Sequence, residues 1–366
     1  MKATTNRKQL FAALNTIKPV VPGTSCPLPI LHRALISVSI HEVTITATDQ
    51  DNTIRCEVQA EVEQAGAYTV DFKKFHAALK MCPGYTVTLE SAQYTLSITS
   101  NGATFSIPLF DTEEFPVIDF PLGNEISNTL LTPAATARLL TTCTFIAKER
   151  TRITLTGVYM EFQDGDLIVT ATDGHRLINT TIESVPGDGS YIVPPFALKQ
   201  IAKHKKVTWE THTYKDRIIF EGPGMMIMSK LIDPPYPNYR QVIPTDLPNC
   251  ANIDRAELQA AVAGLLPCTN KNTHKVLFEF TPNDLKLSAT DSDTGATGNN
   301  TVACNYPFVY TEPITIAFNG LFIVDILKAI TAETITFETT NATSAAIIHP
   351  VNSEDLYLLM PLRMHE

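Results

Sequence analysis

The chain has 366 residues, with 28 basic against 38 acidic side chains, a net charge of −10 and a mean hydropathy close to zero. That balance disfavours a grip on nucleic acid through many neutralised phosphates unless the positive charge is segregated. No run of about 18 apolar residues occurs and MKATTNRKQL has no apolar signal core, so neither a membrane span nor secretion is expected, and the location is read as cytoplasmic. The seven cysteines, at 26, 56, 82, 143, 250, 268 and 304, are odd in number and form no C-x-x-C pair, which points to reduced thiols and to no metal or disulfide framework.

The first predicted element is a helix over Thr4 to Ile17, with Leu10, Leu14 and Ile17 on one face. Segments 33–40, 43–48 and 53–63 alternate as strands do. YTVDFKKFHAALK then carries a short strand into a second helix, with Phe72, Phe75 and Leu79 inward and Lys73, Lys74 and Lys80 outward. Strands at 85–90, 93–99 and 103–109 complete the first third. Asp111 to Thr129, with Pro116 and Pro121, reads as a linker.

The cycle restarts at Thr132, a good N-cap with Pro133 in the first helical position, and Leu139, Cys143 and Ile146 form the expected buried face. YIVPPFALKQIAKHKK repeats the strand-into-helix pattern, burying Leu198 and Ile201 and presenting Lys199, Lys203, Lys205 and Lys206. Pro234, Pro235, Pro237, Pro244 and Pro248 mark a second linker. A third cycle opens with Asp254 as N-cap and Glu257 three residues on, followed by Leu258, Ala261, Val262 and Leu265 on one face. Its second helix runs from Asn319 to Ile330 after the strand ITIAF, and strands close the chain.

One stretch recurs in each third. TITATD, TATD and LKLSATD each end a strand on an Asp that opens a turn into the next strand; Asp49, Asp173 and Asp291 lie 124 and 118 residues apart. A period that long means repeated domains, not solenoid units of about 20 to 50 residues. The fold class is α+β, with three similar domains (1–123, 124–248 and 249–366), each with two helices packed on antiparallel strands.

Four short stretches in order, inside this three-fold repeat, carry a resemblance that spans essentially the whole chain. EEFPVID, ATDGHRL, SKLIDPPYPNYRQVIP and LLMPLRM resemble segments of the bacterial DNA polymerase III beta subunit family, the replicative sliding clamps. The resemblance implies the DNA-clamp fold and a ring-forming head-to-tail homodimer with helices lining the hole. Duplex DNA would pass through that hole, held by enclosure and not by sequence, which answers the charge objection. Lys73, Lys74, Lys148, Arg150, Lys199 and Lys203, taken as helix-borne, would face the hole. Phe105 and Ile107 of one copy would meet Pro267 and Cys268 of the other.

The resemblance also implies a hydrophobic pocket that takes Leu/Phe-containing peptides of DNA polymerase and clamp-loader subunits. Its matching residues here are Leu155, Thr172, Gly174, His175, Arg176, Leu177, Pro237, Val242, Asn319, Phe322, Ser344, Leu358, Met360, Pro361, Leu362, Arg363 and Met364. Leu and Met side chains would wall the pocket, with Arg176 and Arg363 holding polar groups at the rim. Gln241, Thr273 and the terminal His365 and Glu366 depart from the family pattern. No cofactor or metal is implied, and no G-x-x-x-x-G-K-[ST] occurs, so loading around DNA would need an external ATPase.

Plainer readings stand beside these. Asp173 and His175 could begin a hydrolase or metal site, but no nucleophile motif or second ligand pair accompanies them, and Asp-Gly-His in a turn is ordinarily structural. The Lys-bearing faces could be solvated surface, LYLLMP a core strand, and Met225, Met226 and Met228 core filling.

Overall fold

Asn6 is where the chain first departs from the expected pattern. In the computed structural model, which describes residues 1–23, 26–116, 125–233, 235–245, 247–305 and 314–364, the first helix starts at Arg7 and not at Thr4. Asn6 Oδ1 accepts hydrogen bonds from the Lys8 and Gln9 amides, and residues 2–6 form a strand with alternate burial. Tertiary pairing on both sides, with Thr4 opposite Glu61 and Thr88, overrides the helical periodicity there. Pro121, Pro234, His365, Glu366 and part of EEFPVID lie outside the described residues, and so do the 123/124 division and the side chain of Arg150.

In the first third the elements are β1 (Lys2–Asn6), α1 (Arg7–Ile17), β2 (Arg33–Ser39), β3 (Glu42–Thr48), β4 (Asn52–Gln64), β5 (Gly66–Asp71), α2 (Phe72–Met81), β6 (Thr86–Ala92), β7 (Thr95–Ser100) and β8 (Ala103–Phe110). The second third repeats that order as β9 (Ser127–Leu131), α3 (Pro133–Thr142), β10 (Val158–Gln163), β11 (Asp166–Thr172), β12 (Arg176–Ile182), β13 (Ser190–Val193), α4 (Pro195–Ile201), β14 (Trp209–Thr213), β15 (Arg217–Gly222) and β16 (Met225–Lys230). The last third does so again with β17 (Asn249–Asp254), α5 (Arg255–Leu265), β18 (Lys275–Phe280), β19 (Asp284–Thr290), β20 (Thr297–Asn305), β21 (Ile314–Asn319), α6 (Gly320–Ala329), β22 (Thr334–Thr339), β23 (Ala346–Pro350) and β24 (Leu356–Leu359). Strand, helix and three strands is thus the unit, used twice in each third.

Each helix is placed by local chemistry. Asp71 Oδ1 caps α2 through the Lys74 amide, Thr132 Oγ1 caps α3 through Ala135, and Asp254 Oδ1 caps α5 through Glu257. The apolar face of each then buries against the strands: Leu10, Leu14 and Ile17 from α1, Phe72, Phe75 and Leu79 from α2, and Leu258, Val262 and Leu265 from α5. Helix α3 ends at Thr142, so Ile146 is not on it, although Leu139 and Cys143 are buried as expected. The strands of five or six residues before α1, α3 and α5 escaped the sequence reading because each is too short to display its period.

The residues group into two units that cut across the three repeats: 1–136 with 196–231, and 137–195 with 232–366. Each unit holds one 12-stranded antiparallel sheet. In the first the order is β1-β6-β7-β8-β5-β2-β3-β4-β16-β15-β14-β9, with β1 also paired to β4. In the second it is β13-β10-β11-β12-β24-β23-β22-β17-β20-β19-β18-β21. Both sheets continue from one repeat into the next, through β4·β16 in the first unit and β12·β24 in the second. Among the described residues no helix is long and apolar enough to cross a membrane.

Candidate peptide-binding site

The turn Asp173-Gly174-His175-Arg176 is built by its own side chains. Asp173 Oδ1 accepts from the His175 and Arg176 amides, both at 3.0 Å, and Thr172 Oγ1 donates to the Arg176 carbonyl at 2.6 Å. Gly174 sits at φ +89°, a conformation that a Cβ would strain. The same device recurs where the repeat put it. Asp49 Oδ1 accepts from the Asp51 and Asn52 amides, and Asp291 Oδ1 from Asp293, with Thr294 Oγ1 donating to Asp291 Oδ2.

Beyond the turn, β12 pairs with β24, setting Leu177 opposite Leu358, and the Met360 amide donates to the His175 carbonyl at 2.8 Å. These bonds line up Leu177, Leu358 and Met360 as one wall of a cavity of about 590 Å³. The segment Tyr236–Val242 supplies the second wall. Tyr236 stacks on Tyr159 with centroids 4.7 Å apart, Tyr239 meets Tyr159 edge-on, and Arg240 pairs with Glu161 at 2.6 Å. Arg152, Thr154 and Leu155 form the third. Burial pushes the Tyr236 and Tyr239 hydroxyls above the usual phenol range, so both phenols stay protonated at physiological pH.

Leu177, Tyr239 and Leu358 pack together with Ile347 in one buried cluster, which fixes these walls. At the mouth, Val242 is 57% and Met360 43% exposed. Fixed apolar walls with adaptable apolar groups at the mouth can take up a short apolar segment.

Ten of the residues expected at this pocket line it: Leu155, Thr172, Gly174, His175, Arg176, Leu177, Pro237, Val242, Leu358 and Met360. The others lie elsewhere. Phe322 stacks with His175 at 6.3 Å, and the Asn319 side chain is occupied in capping α6 through the Leu321 and Phe322 amides. Ser344 belongs to a turn held by Asn341. Pro361, Leu362, Arg363 and Met364 continue past the wall, and the Leu362 amide bonds the Ala317 carbonyl of β21.

Arg176 is a correction. It was expected to hold polar groups at the rim, but it is only 5% exposed. Its Nε pairs with Asp173, Nη1 with Asp325 at 2.8 Å and Nη2 donates to the Thr144 carbonyl, while the guanidinium lies over Phe322 and near Phe145. It locks the turn to α6 and to the end of α3. Arg152, Thr154, Tyr236, Asn238 and Tyr239 were missed; the last three sit inside SKLIDPPYPNYRQVIP, whose tyrosines were the available signal.

The expected DNA-facing cations divide. Lys73, Lys74 and Lys199 are exposed on α2 and α4, whereas Lys148 and Lys203, though exposed, lie in irregular segments after α3 and α4 and are not helix-borne. Of the expected dimer residues, Phe105 is half-buried and Ile107 buried on β8, while Pro267 is exposed and Cys268 half-buried in a 3-10 turn.

A hydrolytic use of Asp173 and His175 finds no support in this geometry. Asp173 is taken up by two amides and Arg176, the His175 ring is stacked on Phe322, and no metal-ligating cluster of three occurs among the described residues.

Family models of the DNA polymerase III beta subunit match three successive segments: the N-terminal domain at residues 1–119, the central domain at 131–238 and the C-terminal domain at 240–363. The Chlamydia muridarum beta sliding clamp is 28% identical over the full length of both chains, and that of Staphylococcus aureus 24%. Among solved structures, the Bartonella birtlesii sliding clamp, bound there to griselimycin, is 26% identical with a TM-score of 0.91 and full coverage of both chains.

Proposed function

The chain belongs to the DNA polymerase III beta subunit family, the non-catalytic sliding clamps, and from that premise we propose that two copies close into a ring around duplex DNA and tether the replicative polymerase and other DNA-processing proteins through the apolar pocket. Enclosure is topological and independent of sequence, so a net charge of −10 is no obstacle. Lys73, Lys74 and Lys199, with Lys203 and Arg150, supply the local positive charge facing the DNA. Loading falls to a separate ATPase whose subunits use the same pocket, and the protein works in the cytoplasm.

The observation that carries this reading is a joint made twice within the chain and half-made a third time. In each repeat the strand that leaves the Asp turn, β4 or β12, pairs with the last strand of the next repeat, β16 or β24. In the third repeat β20 has no such partner: residues 297–303 pair only with β19 among the described residues. The last strand of the first repeat, β8, is open in the same way, bonding β7 along its length and β5 only at Leu109 and Phe110. Joining β8 of one copy to β20 of another completes the series, and doing so reciprocally closes a two-fold assembly with no open edge left at these joints.

The registers agree with this. Thr53, Leu177 and Thr297 each close the hairpin that follows the Asp turn. Carrying over the pairings Ile54–Ile227 and Ile178–Tyr357 sets Phe105 opposite Gly298. Both internal pairs are buried, and the third would set an aromatic side chain against a glycine. A Cβ on Gly298 would meet Leu265 and Cys268 at 2.8 and 3.2 Å, so Phe105 would cover the region beside Pro267 and Cys268.

The test is retention on nicked circular DNA after incubation with a clamp loader and ATP, before and after a cut linearises the circle. Retention on circles with loss from linear ends is the expected result; equal loss from both forms, or no association under a compatible loader, overturns enclosure.

A further inference from the structure

The two helices of the first repeat pack together with matched residues at helical spacing. On α1 these are Phe11, Asn15 and, just past the helix end, Lys18; on α2 they are Lys73, His76 and Lys80. His76 spans the crevice between the helices. Its Nε2 donates to Asn15 Oδ1 at 2.9 Å, and its ring lies against Phe11 at 4.9 Å and Phe72 at 5.7 Å. That bond leaves Nδ1 as the nitrogen that can take up a proton.

The charge around His76 has one sign. Lys18 and Lys80 are the charged groups that act on it; both are exposed, neither has an ion-pair partner among the described residues, and neither α1 nor α2 contains an Asp or Glu. Burial first, and then these two ammonium groups, hold the imidazole below its usual range, so it is neutral at physiological pH. The same position in the other repeats carries different chemistry. Counted from the first helical residue, the fifth is His76 in α2, Lys199 in α4 and Val324 in α6. The ninth is a lysine each time, Lys80, Lys203 and Lys328, although α4 itself ends at Ile201. The first repeat thus sets a titratable group where the second has a fixed cation.

Resting on the ring reading above, we propose that the crevice between α1 and α2 seats one phosphate of the enclosed duplex, held by Lys18, Lys80 and a His76 that takes up a proton as the phosphate arrives. An anion between the two ammonium groups cancels their repulsion of an imidazolium and gives the new Nδ1–H an acceptor. The proton comes from solvent and returns to it when the phosphate leaves. Lys199 keeps its charge throughout, so the first repeat holds DNA more firmly as pH falls while the second does not change. A seat that is charged only when filled suits a ring that has to move along its DNA.

The experiment follows fluorescent full-length protein, loaded at one pH by a clamp loader and ATP and then exchanged to others, as it diffuses along duplex DNA with blocked ends. Between about pH 8 and about pH 6 the native ring is expected to slow by about three-fold at low salt, an effect that fades as salt screens the contact. His76→Gln, which can still donate to Asn15, is expected to diffuse at one speed throughout. His76→Lys, which copies Lys199, is expected to be slow at both ends of the range. A flat native profile, or a pH dependence that survives His76→Gln, overturns the seat while leaving enclosure standing. Failure of the native ring to stay on circular DNA overturns enclosure itself.

Discussion

In the first unit, β4 leaves the Asp49 turn and pairs with β16, and the Lys230 amide donates to the Asp51 carbonyl at 2.8 Å. In the second, β12 leaves the Asp173 turn and pairs with β24, and the Met360 amide donates to the His175 carbonyl at the same distance. Even the left-handed residue is kept: Gln50 has φ +80° where Gly174 has +89°. The side chains set on this common backbone differ at each position. Asn52 and Ser229 bond each other where Arg176 and Leu359 stand; Thr53 occupies the place of Leu177; Lys230, paired with Asp51, occupies that of Met360. A joint between repeats is therefore a property of the fold, whereas a pocket at the joint is a property of a few side chains.

The proposed third joint is the sharpest test, since it would exist only between copies. Phe105→Asp would bury a charge opposite Gly298, and the dimer dissociation constant should rise about 100-fold or more, read by analytical ultracentrifugation. A dimer unchanged in affinity would separate the third joint from the other two.

Next in size is Arg176→Ala. Removing a nearly buried guanidinium strands Asp173 and Asp325, and the cost should be about 3 kcal/mol, seen as a lowered midpoint of chemical denaturation. Asn52→Ala at the matching position should cost less, about 2 kcal/mol, because hydrogen bonds to Ser229 and to the Asp49 carboxylate are lost but no ion pair is broken.

Giving the second joint the first one's side chains, with Leu177→Thr and Met360→Lys together, should weaken Leu/Phe peptides by roughly 30-fold, in keeping with loss of one buried aliphatic anchor. Circular dichroism should be unchanged, since the first joint carries this combination on the same backbone. Loss of fold would mean that the two joints are less alike than their hydrogen bonds.

The smallest effects concern the turn. Gly174→Ala should cost about 1 kcal/mol through strain at positive φ, and Gln50→Gly should raise stability by up to about 0.5 kcal/mol, both read from thermal midpoints.

Much of this was legible in the chain because its determinants are local. The three Asp turns, the caps at Thr132 and Asp254, and most strand limits depend on hydrogen bonds and periodicity within a few residues. Four short motifs then led to the family. Arg176 shows the limit: Gly-His-Arg beside an apolar strand reads as a binding edge, and nothing nearby reveals that Asp325, 149 residues on, takes its charge inward. Lys148 was misplaced for a related reason, since the helix before it stops at Thr142 although its composition would permit more.

The sequence by itself determined the repeat, the order of its helices and strands, and the chemical character of the residues that could line a pocket. Only the tertiary structure decided that β1 is a strand, that the middle repeat is shared between two sheets, which residues wall the cavity, and which strand edges are left open. Those outcomes rest on pairings across tens to hundreds of residues, such as Cys56 with Met225 and Leu177 with Leu358, where the backbone partner and not the local pattern fixes which way a side chain faces.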